Sequence, residues 1–125
     1  IQVMNYVPAT AEVFCVPAYL ESIMLNLVTN AIKYSDPNKD SKIIFTTEAN
    51  EDFVVLNVKD NGLGIDLEKH KDSIFGLYKT FHRNNDARGV GLYLTKNQIE
   101  NMGGKIEVES SINFGSTFKI YFKKV

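Results

Sequence analysis

Two alternating runs near the end of the chain restrict its fold more than any other feature. Ile106 and Val108 interleave with Glu107 and Glu109, then Phe118, Ile120 and Phe122 interleave with Lys119, Tyr121 and Lys123. A period of two puts each set on one face of an extended strand, so both strands belong to a sheet with one face covered and the other wetter. Two further strand patterns, Lys42 to Ala49 and Phe53 to Lys59, are joined by the polar turn Asn50-Glu51-Asp52. Tyr19 to Tyr34 supplies a cover: at about 100° per residue, Leu20, Ile23, Met24, Leu27 and Ala31 form one broad apolar face. Gly91 to Met102 reads as a second helix, capped by Gly103-Gly104, and Leu67 to Leu77 as a weaker, broken one. Ile1 to Val7 and Glu12 to Val16 are short β-rich runs separated by Pro8, and Pro17 suits the first turn of a helix. The economical architecture is an α/β (α+β) two-layer sandwich, a mixed, largely antiparallel sheet with helices packed on one face.

At 125 residues the chain suits a single domain spanning 1–125. The net charge of −1, with lysines and carboxylates interspersed, argues against nucleic acid or an anionic membrane surface as the main partner. One cysteine, Cys15, lies in an apolar run and supports neither a disulfide framework nor a metal cluster. The run starting at Ile1 is strand-like, and no signal peptide or bilayer-length apolar segment is legible. An excised domain of a longer parent is the expectation.

The helix Tyr19 to Tyr34 also carries Ser22, Asn26, Thr29, Asn30 and Lys33 on one narrow stripe along the margin of its apolar face. Short amides are mediocre helix formers, and a plain solvated stripe would more often use Glu, Lys or Gln. An asparagine carbonyl suits Mg²⁺, a hard cation that bridges phosphates, and Lys33 could neutralise a phosphate oxygen. Asp60-Asn61-Gly62-Leu63-Gly64-Ile65 follows a strand pattern and brings one carboxylate and two small residues to a strand end. Such a carboxylate can accept from the exocyclic amine of adenine, where guanine presents a carbonyl, and glycines let a flat ligand approach the backbone. A turn with no ligand would use the same residues. Gly89-Val90-Gly91-Leu92 opens a helix whose free N–H groups suit phosphate, with Lys79, Arg83 and Arg88 nearby as anion contacts or as solubilising charges. Gly115-Ser116-Thr117-Phe118 enters the last strand, where Thr117 either bonds the purine edge or simply starts the strand.

Taken in order, Asn26-x-x-x-Asn30-Ala31-Ile32-Lys33-Tyr34-Ser35, Asp60-x-Gly62-x-Gly64-Ile65, Ile74-Phe75, Gly89-x-Gly91-Leu92 and Gly115-x-Thr117-Phe118 resemble the catalytic, ATP-binding domain of sensor histidine kinases. The resemblance spans nearly the whole chain and extends to the superfamily of gyrase, heat-shock chaperone, histidine kinase and mismatch-repair ATPases. It implies ATP and Mg²⁺ bound between the asparagine-bearing helix and a lid. Asn26 would ligate Mg²⁺, Asn30 and Lys33 would contact phosphates, and Tyr34 would line the nucleotide site. Asp60 would bind the adenine amine, with Gly62, Gly64 and Ile65 shaping the base pocket and Thr117 near the base. Phe75 would position the lid, Gly89, Gly91 and Leu92 would border the triphosphate, and Arg83 ranks first among the candidate phosphate-contacting cations. The implied catalytic residues are Asn26 and Lys33.

Superfamily members that hydrolyse ATP commonly carry a glutamate one helical turn before the metal-binding asparagine. Here that position is Ser22, with Glu21 on a different azimuth, which disfavours a fast ATPase. No acceptor histidine in a helical hairpin is present; His70 and His82 flank the lid and read as surface residues. The implied partners are the acceptor-histidine dimerisation domain of a homodimeric parent and a response-regulator receiver domain. The implied location is cytoplasmic, whether or not the parent is membrane-anchored. The alternatives are a nucleotide-binding interaction module without phosphotransfer, or a superfamily ATPase.

Overall fold

A computed structural model describes residues 1–70, 74–76 and 91–125. The described elements are β1 (Gln2–Asn5), α1 (Pro17–Lys33), β2 (Lys42–Ala49), β3 (Phe53–Asp60), α2 (Leu67–His70), α3 (Gly91–Asn101), β4 (Lys105–Ser111) and β5 (Gly115–Lys123). The strands form one five-stranded sheet in the order β1-β2-β3-β5-β4. β1 and β2 are parallel and the remaining neighbours antiparallel, giving the mixed, largely antiparallel sheet expected from the sequence.

Register decides which residues meet the helices. Phe45 stands opposite Val58, Val58 opposite Phe118, and Phe118 opposite Val108. The next row on the same face runs from Leu56 through Ile120 to Ile106. Ile23, Leu27 and Ala31 of α1 and Leu92 and Ile99 of α3 close over these rows in one buried cluster. Each of the Ile and Leu side chains contributes about 1.5–3 kcal/mol through burial, and Ala31 less. The opposite face is more mixed: Lys119 and Glu109 are ion-paired there at 3.2 Å, beside the Phe53–Tyr121 ring contact and the buried Val55. Because period two carries Leu56 and Val58 onto the covered face, it carries Asp60 there too, at the strand's end beside the helices.

α1 starts where Pro17 occupies its first turn, and no side chain caps it. Instead, the Val16 N–H donates to Met102 Sδ at 3.2 Å, tying this helix start to the end of α3. Gly103 and Gly104 end α3 as expected: their N–H groups donate to the Glu100 and Ile99 carbonyls at 2.9 and 3.0 Å, with Gly103 at φ 79°.

The structure corrects one element. Glu12 to Val16 is no regular strand: against β5 it makes a single bridge, Val13 to Lys124, and a backbone bond from Phe14 N to Lys123 O at 3.1 Å, while the Val16 carbonyl already accepts from Tyr19 N and Leu20 N of α1. Pro8 and Pro17 bracket the run, and it brushes the end of β5 without room to continue a ladder. In the stretch Leu67 to Leu77 the described helix is the single turn α2, while Ile74 is buried and Phe75 packs partly buried on the core. The remainder of that stretch, His82, and the cations Lys79, Arg83 and Arg88 lie outside the described residues, as does Gly89.

Candidate nucleotide-binding site

At the end of β3 the chain leaves the sheet, and the Asp60 carboxylate is fixed by the backbone that follows it. Asp60 Oδ1 accepts from Gly62 N at 2.9 Å and from Ser116 N of β5 at 3.3 Å. Both bonds fall on one oxygen. Neither bond uses Oδ2, and Asp60 lines a pocket with Asn30, Tyr34, Gly64, Ile65, Leu92, Ser116 and Phe118. About 340 Å³ of space lies between these residues, part of it open to solvent. Burial pushes the Asp60 carboxyl above its ordinary value of 3.8, while the two backbone N–H groups pull it down.

The loop after Asp60 is wedged between α1 and the β4–β5 hairpin. Leu63 N donates to Tyr34 O at 2.9 Å, and Asn113 N donates to Leu63 O at 2.8 Å. A Cβ on Gly62 would lie 2.5 Å from the Tyr34 carbonyl oxygen, so only glycine lets the loop seat against the end of α1. Asn61 braces the loop from the other side, accepting from Lys42 N at 2.8 Å and donating to Asp40 O at 2.9 Å. Ser110 joins three parts of the pocket wall. Its Oγ accepts from Ile65 N at 2.7 Å, donates to Gly115 O at 2.9 Å and lies 2.7 Å from Ser116 Oγ.

Of the polar stripe along α1, Asn26 meets α3. Asn26 Nδ2 donates to Gly91 O at 3.4 Å and to Thr95 Oγ1 at 3.2 Å. Its other amide atom, Oδ1, takes no part in these two bonds and lies beside the start of α3, 3.8 Å from where a Gly91 Cβ would stand; a neutral carbonyl oxygen is a ligand type that Mg²⁺ takes. Asn30 and Tyr34 line the same pocket as Asp60, and burial pushes the Tyr34 hydroxyl above its ordinary pKa. Lys33 is exposed in the last turn of α1, outside that pocket. Phe75 carries the Lys96 ammonium 5.7 Å from its ring centroid, which joins it to α3.

The structure thus gathers Asn30, Tyr34, Asp60, Gly64, Ile65 and Leu92 at one pocket, with Gly62 fixing the carboxylate and Asn26 and Gly91 in contact beside it. Thr117 is a correction. It stands opposite Lys59 and Glu109 on the outer sheet face, while Ser116 and Phe118 face the pocket. Successive strand residues point to opposite faces, so a shift of one position exchanges the inner for the outer side chain. The alternation of Phe118, Ile120 and Phe122, extended back by two, already selects Ser116. Thr95 and Ser110 are the other residues that sequence reading missed, because their partners are distant in the chain.

The sequence also matches a family profile over residues 15–125, that of the histidine kinase-, DNA gyrase B- and HSP90-like ATPases. The chain belongs to this family. Among its relatives, a probable C4-dicarboxylate sensor kinase of Halalkalibacterium halodurans is 37% identical over 105 residues, covering 82% of this chain and 19% of the relative. The signal transduction histidine-protein kinase ArlS of Staphylococcus aureus (strain USA300) is 34% identical over 115 residues, covering 89% of this chain and 25% of that kinase. The chain therefore spans about a fifth to a quarter of the length of these curated relatives. Among solved structures, the catalytic domain of histidine kinase ThkA superposes with a TM-score of 0.81 at 27% identity, covering 98% of this chain and 80% of that one. The mycobacterial sensor histidine kinase MprB superposes with a TM-score of 0.85 at 20% identity, covering 98% and 82%, and supports the fold alone. The chain is an ATP-binding domain of the family, on the histidine-kinase branch.

The raised Asp60 pKa has opposite consequences for stability and for binding. Between 3.8 and the higher native value, the folded domain holds more protons than the unfolded chain, so this group's contribution to stability falls as pH rises through that window. Binding of an amine through Oδ2 needs the carboxylate. Adenosine affinity, measured by titration at stepped pH, is therefore expected to fall on acidification from a pH above 3.8, as the site stabilises itself by taking up a proton. An affinity insensitive to pH down to the ordinary carboxylate range would contradict the role given to Oδ2.

Proposed function

We propose that this domain presents Mg·ATP so that its γ-phosphoryl group passes to a histidine on a separate dimerisation domain of the parent, and thence to an aspartate of a response-regulator receiver domain. The observation that carries this reading is the Asp60 carboxylate, held on Oδ1 by Gly62 and Ser116 and lining a pocket of adenine-compatible chemistry. The names of the sensor kinases to which the chain is similar give the direction of transfer.

Phosphoryl transfer demands little covalent chemistry from the protein, and catalysis rests on positioning and charge neutralisation. Asp60 and the walls around it hold the base, Asn30 and Tyr34 border it from α1, and Asn26 fits a metal ligand because its Nδ2 is engaged by α3 while Oδ1 takes no part in those bonds. Mg²⁺ held by Asn26 would supply positive charge to neutralise the phosphates. Lys33, Gly89, Gly91 and one of Lys79, Arg83 and Arg88 complete the proposed phosphate contacts. The position one turn before Asn26 is Ser22, and Glu21, the sole carboxylate of α1, is exposed. α1 thus offers no carboxylate beside Asn26 to activate water, which favours transfer to an external nucleophile over hydrolysis. The domain is read as cytoplasmic; among the described residues, no helix is long and apolar enough to cross a membrane.

The test supplies a separate acceptor-histidine hairpin and γ-labelled ATP. Label on the hairpin histidine, with almost no phosphate released by the domain alone, supports the proposal. Firm ATP binding without transfer would make the domain an interaction module, and rapid phosphate release would make it an ATPase. Asn26→Ala is expected to abolish the effect of Mg²⁺ on nucleotide affinity while adenosine, which has no phosphate, binds within about twofold of wild type, a shift of under about 0.5 kcal/mol. Loss of adenosine binding would place Asn26 in the support of α1 and not in a metal site.

A further inference from the structure

Thr95 lies on the buried face of α3 with 0% of its surface exposed. A hydroxyl in such a position is unfavourable unless it is hydrogen-bonded, and valine has the same shape without that demand. Its partner is the Asn26 side chain, 3.2 Å away across the contact between the two helices. The second acceptor for Asn26, the Gly91 carbonyl at 3.4 Å, can only accept, so it is the nitrogen of the amide that faces α3. The two hydrogens of Nδ2 are then divided between Gly91 O and Thr95 Oγ1, and the direction of Oδ1 follows. From this geometry we propose that Thr95 is a positioning residue: its hydroxyl locks the Asn26 amide so that the carbonyl oxygen is presented for a divalent cation. The inference rests on the metal role of Asn26 proposed above.

The bond also ties two ligand-facing parts together. The turn of α3 that holds Asn26 through Gly91 and Thr95 also carries Leu92, which lines the base pocket. A base pressed on Leu92 and a cation held by Asn26 are thus referred to the same turn of helix. Without the hydroxyl, the longer Gly91 contact alone would restrain the amide, and its carbonyl would no longer be held in one direction.

The experiment compares wild type, Thr95→Val and Thr95→Ser by calorimetric titration with ADP in Mg²⁺ and in EDTA, together with NMR of the Asn26 side-chain amide without nucleotide or metal. In Thr95→Val the ratio of the two affinities is expected to fall about tenfold, and one of the two amide hydrogens to lose its exchange protection. Thr95→Ser keeps the hydroxyl and is expected to retain both properties. General loosening of the helix contact would instead weaken binding equally in Mg²⁺ and EDTA, leaving the ratio unchanged. A wild-type ratio and unaltered amide signals in Thr95→Val would overturn the proposal. Should Thr95→Val not fold, loss of the ratio or of the amide protection in folded Thr95→Ser, which keeps the hydroxyl, would overturn it equally. If wild type itself shows no effect of Mg²⁺, the functional reading fails first, while the amide signals still report on the Thr95 contact.

Discussion

Asp60→Asn is expected to weaken binding of an ATP analogue by about 1–3 kcal/mol, roughly five- to hundred-and-fifty-fold, the scale of losing a charged acceptor in a partly buried site. The substitution is nearly isosteric. Its amide oxygen can still accept from Gly62 N and Ser116 N, so the loop after β3 should keep its course. The atom that changes is Oδ2, which neither backbone bond uses, and in the proposed role an amide nitrogen there would meet the exocyclic amine of adenine, donor against donor. Removing the charge also removes its desolvation cost, which is what raises the native pKa. Thermal stability near neutral pH should accordingly hold or rise while affinity drops. Calorimetric titration alongside a melting curve measures both, and unchanged affinity in the folded variant would refute base recognition by Asp60.

The larger structural effect is expected from Gly64→Ala, which should destabilise the domain by about 3–5 kcal/mol in urea unfolding, in the range reserved for backbone strain combined with a clash. Gly64 has φ 76°, in the left-handed region, and a Cβ there would lie 2.0 Å from the Ser111 carbonyl oxygen. The obstacle is backbone, so no side-chain rotation relieves it. The hairpin would have to move from the loop, stretching the Ser110 bond to Ile65 and the Asn113 bond to Leu63. Gly91→Ala is the control. Its Cβ would meet Asn26 Cγ at 3.7 Å, an ordinary contact at the start of a helix. Its stability change is expected within about 0.5 kcal/mol, the ordinary range for a substitution that breaks no such feature. Equal losses for the two would mean that the loop–hairpin contact is not what demands glycine.

These two glycines illustrate what a sequence discloses. The pattern Asp-x-Gly-x-Gly shows that small residues are wanted near a strand end, but the reason at Gly64 is a carbonyl from Ser111, far along the chain. Residue type and the polar turns around them located β2 and β3 almost to the residue, and half coverage, showing as period two, located the body of β5, which begins earlier, at Gly115. α1 was legible for the same reason, with its polar stripe adding Asn26 and Asn30. The single bridge at Val13 was not legible, because residue type indicates a strand but not whether a neighbour is there to pair with. Thr117 was chosen over Ser116 from its place in a motif, although the phase of the strand decides between them. Thr95 looked like an unremarkable helix residue, and only the crossing of α3 over α1 gives it Asn26 as a partner.

The most direct test of the nucleotide site is calorimetric titration of the domain with a non-hydrolysable ATP analogue, first in Mg²⁺ and then in EDTA, with a GTP analogue as control. The arrangement of Asp60 and Asn26 predicts adenine-selective, Mg²⁺-sensitive binding, with a Kd in roughly the micromolar to millimolar range. A folded domain that bound neither analogue, or bound both alike without regard to Mg²⁺, would contradict it.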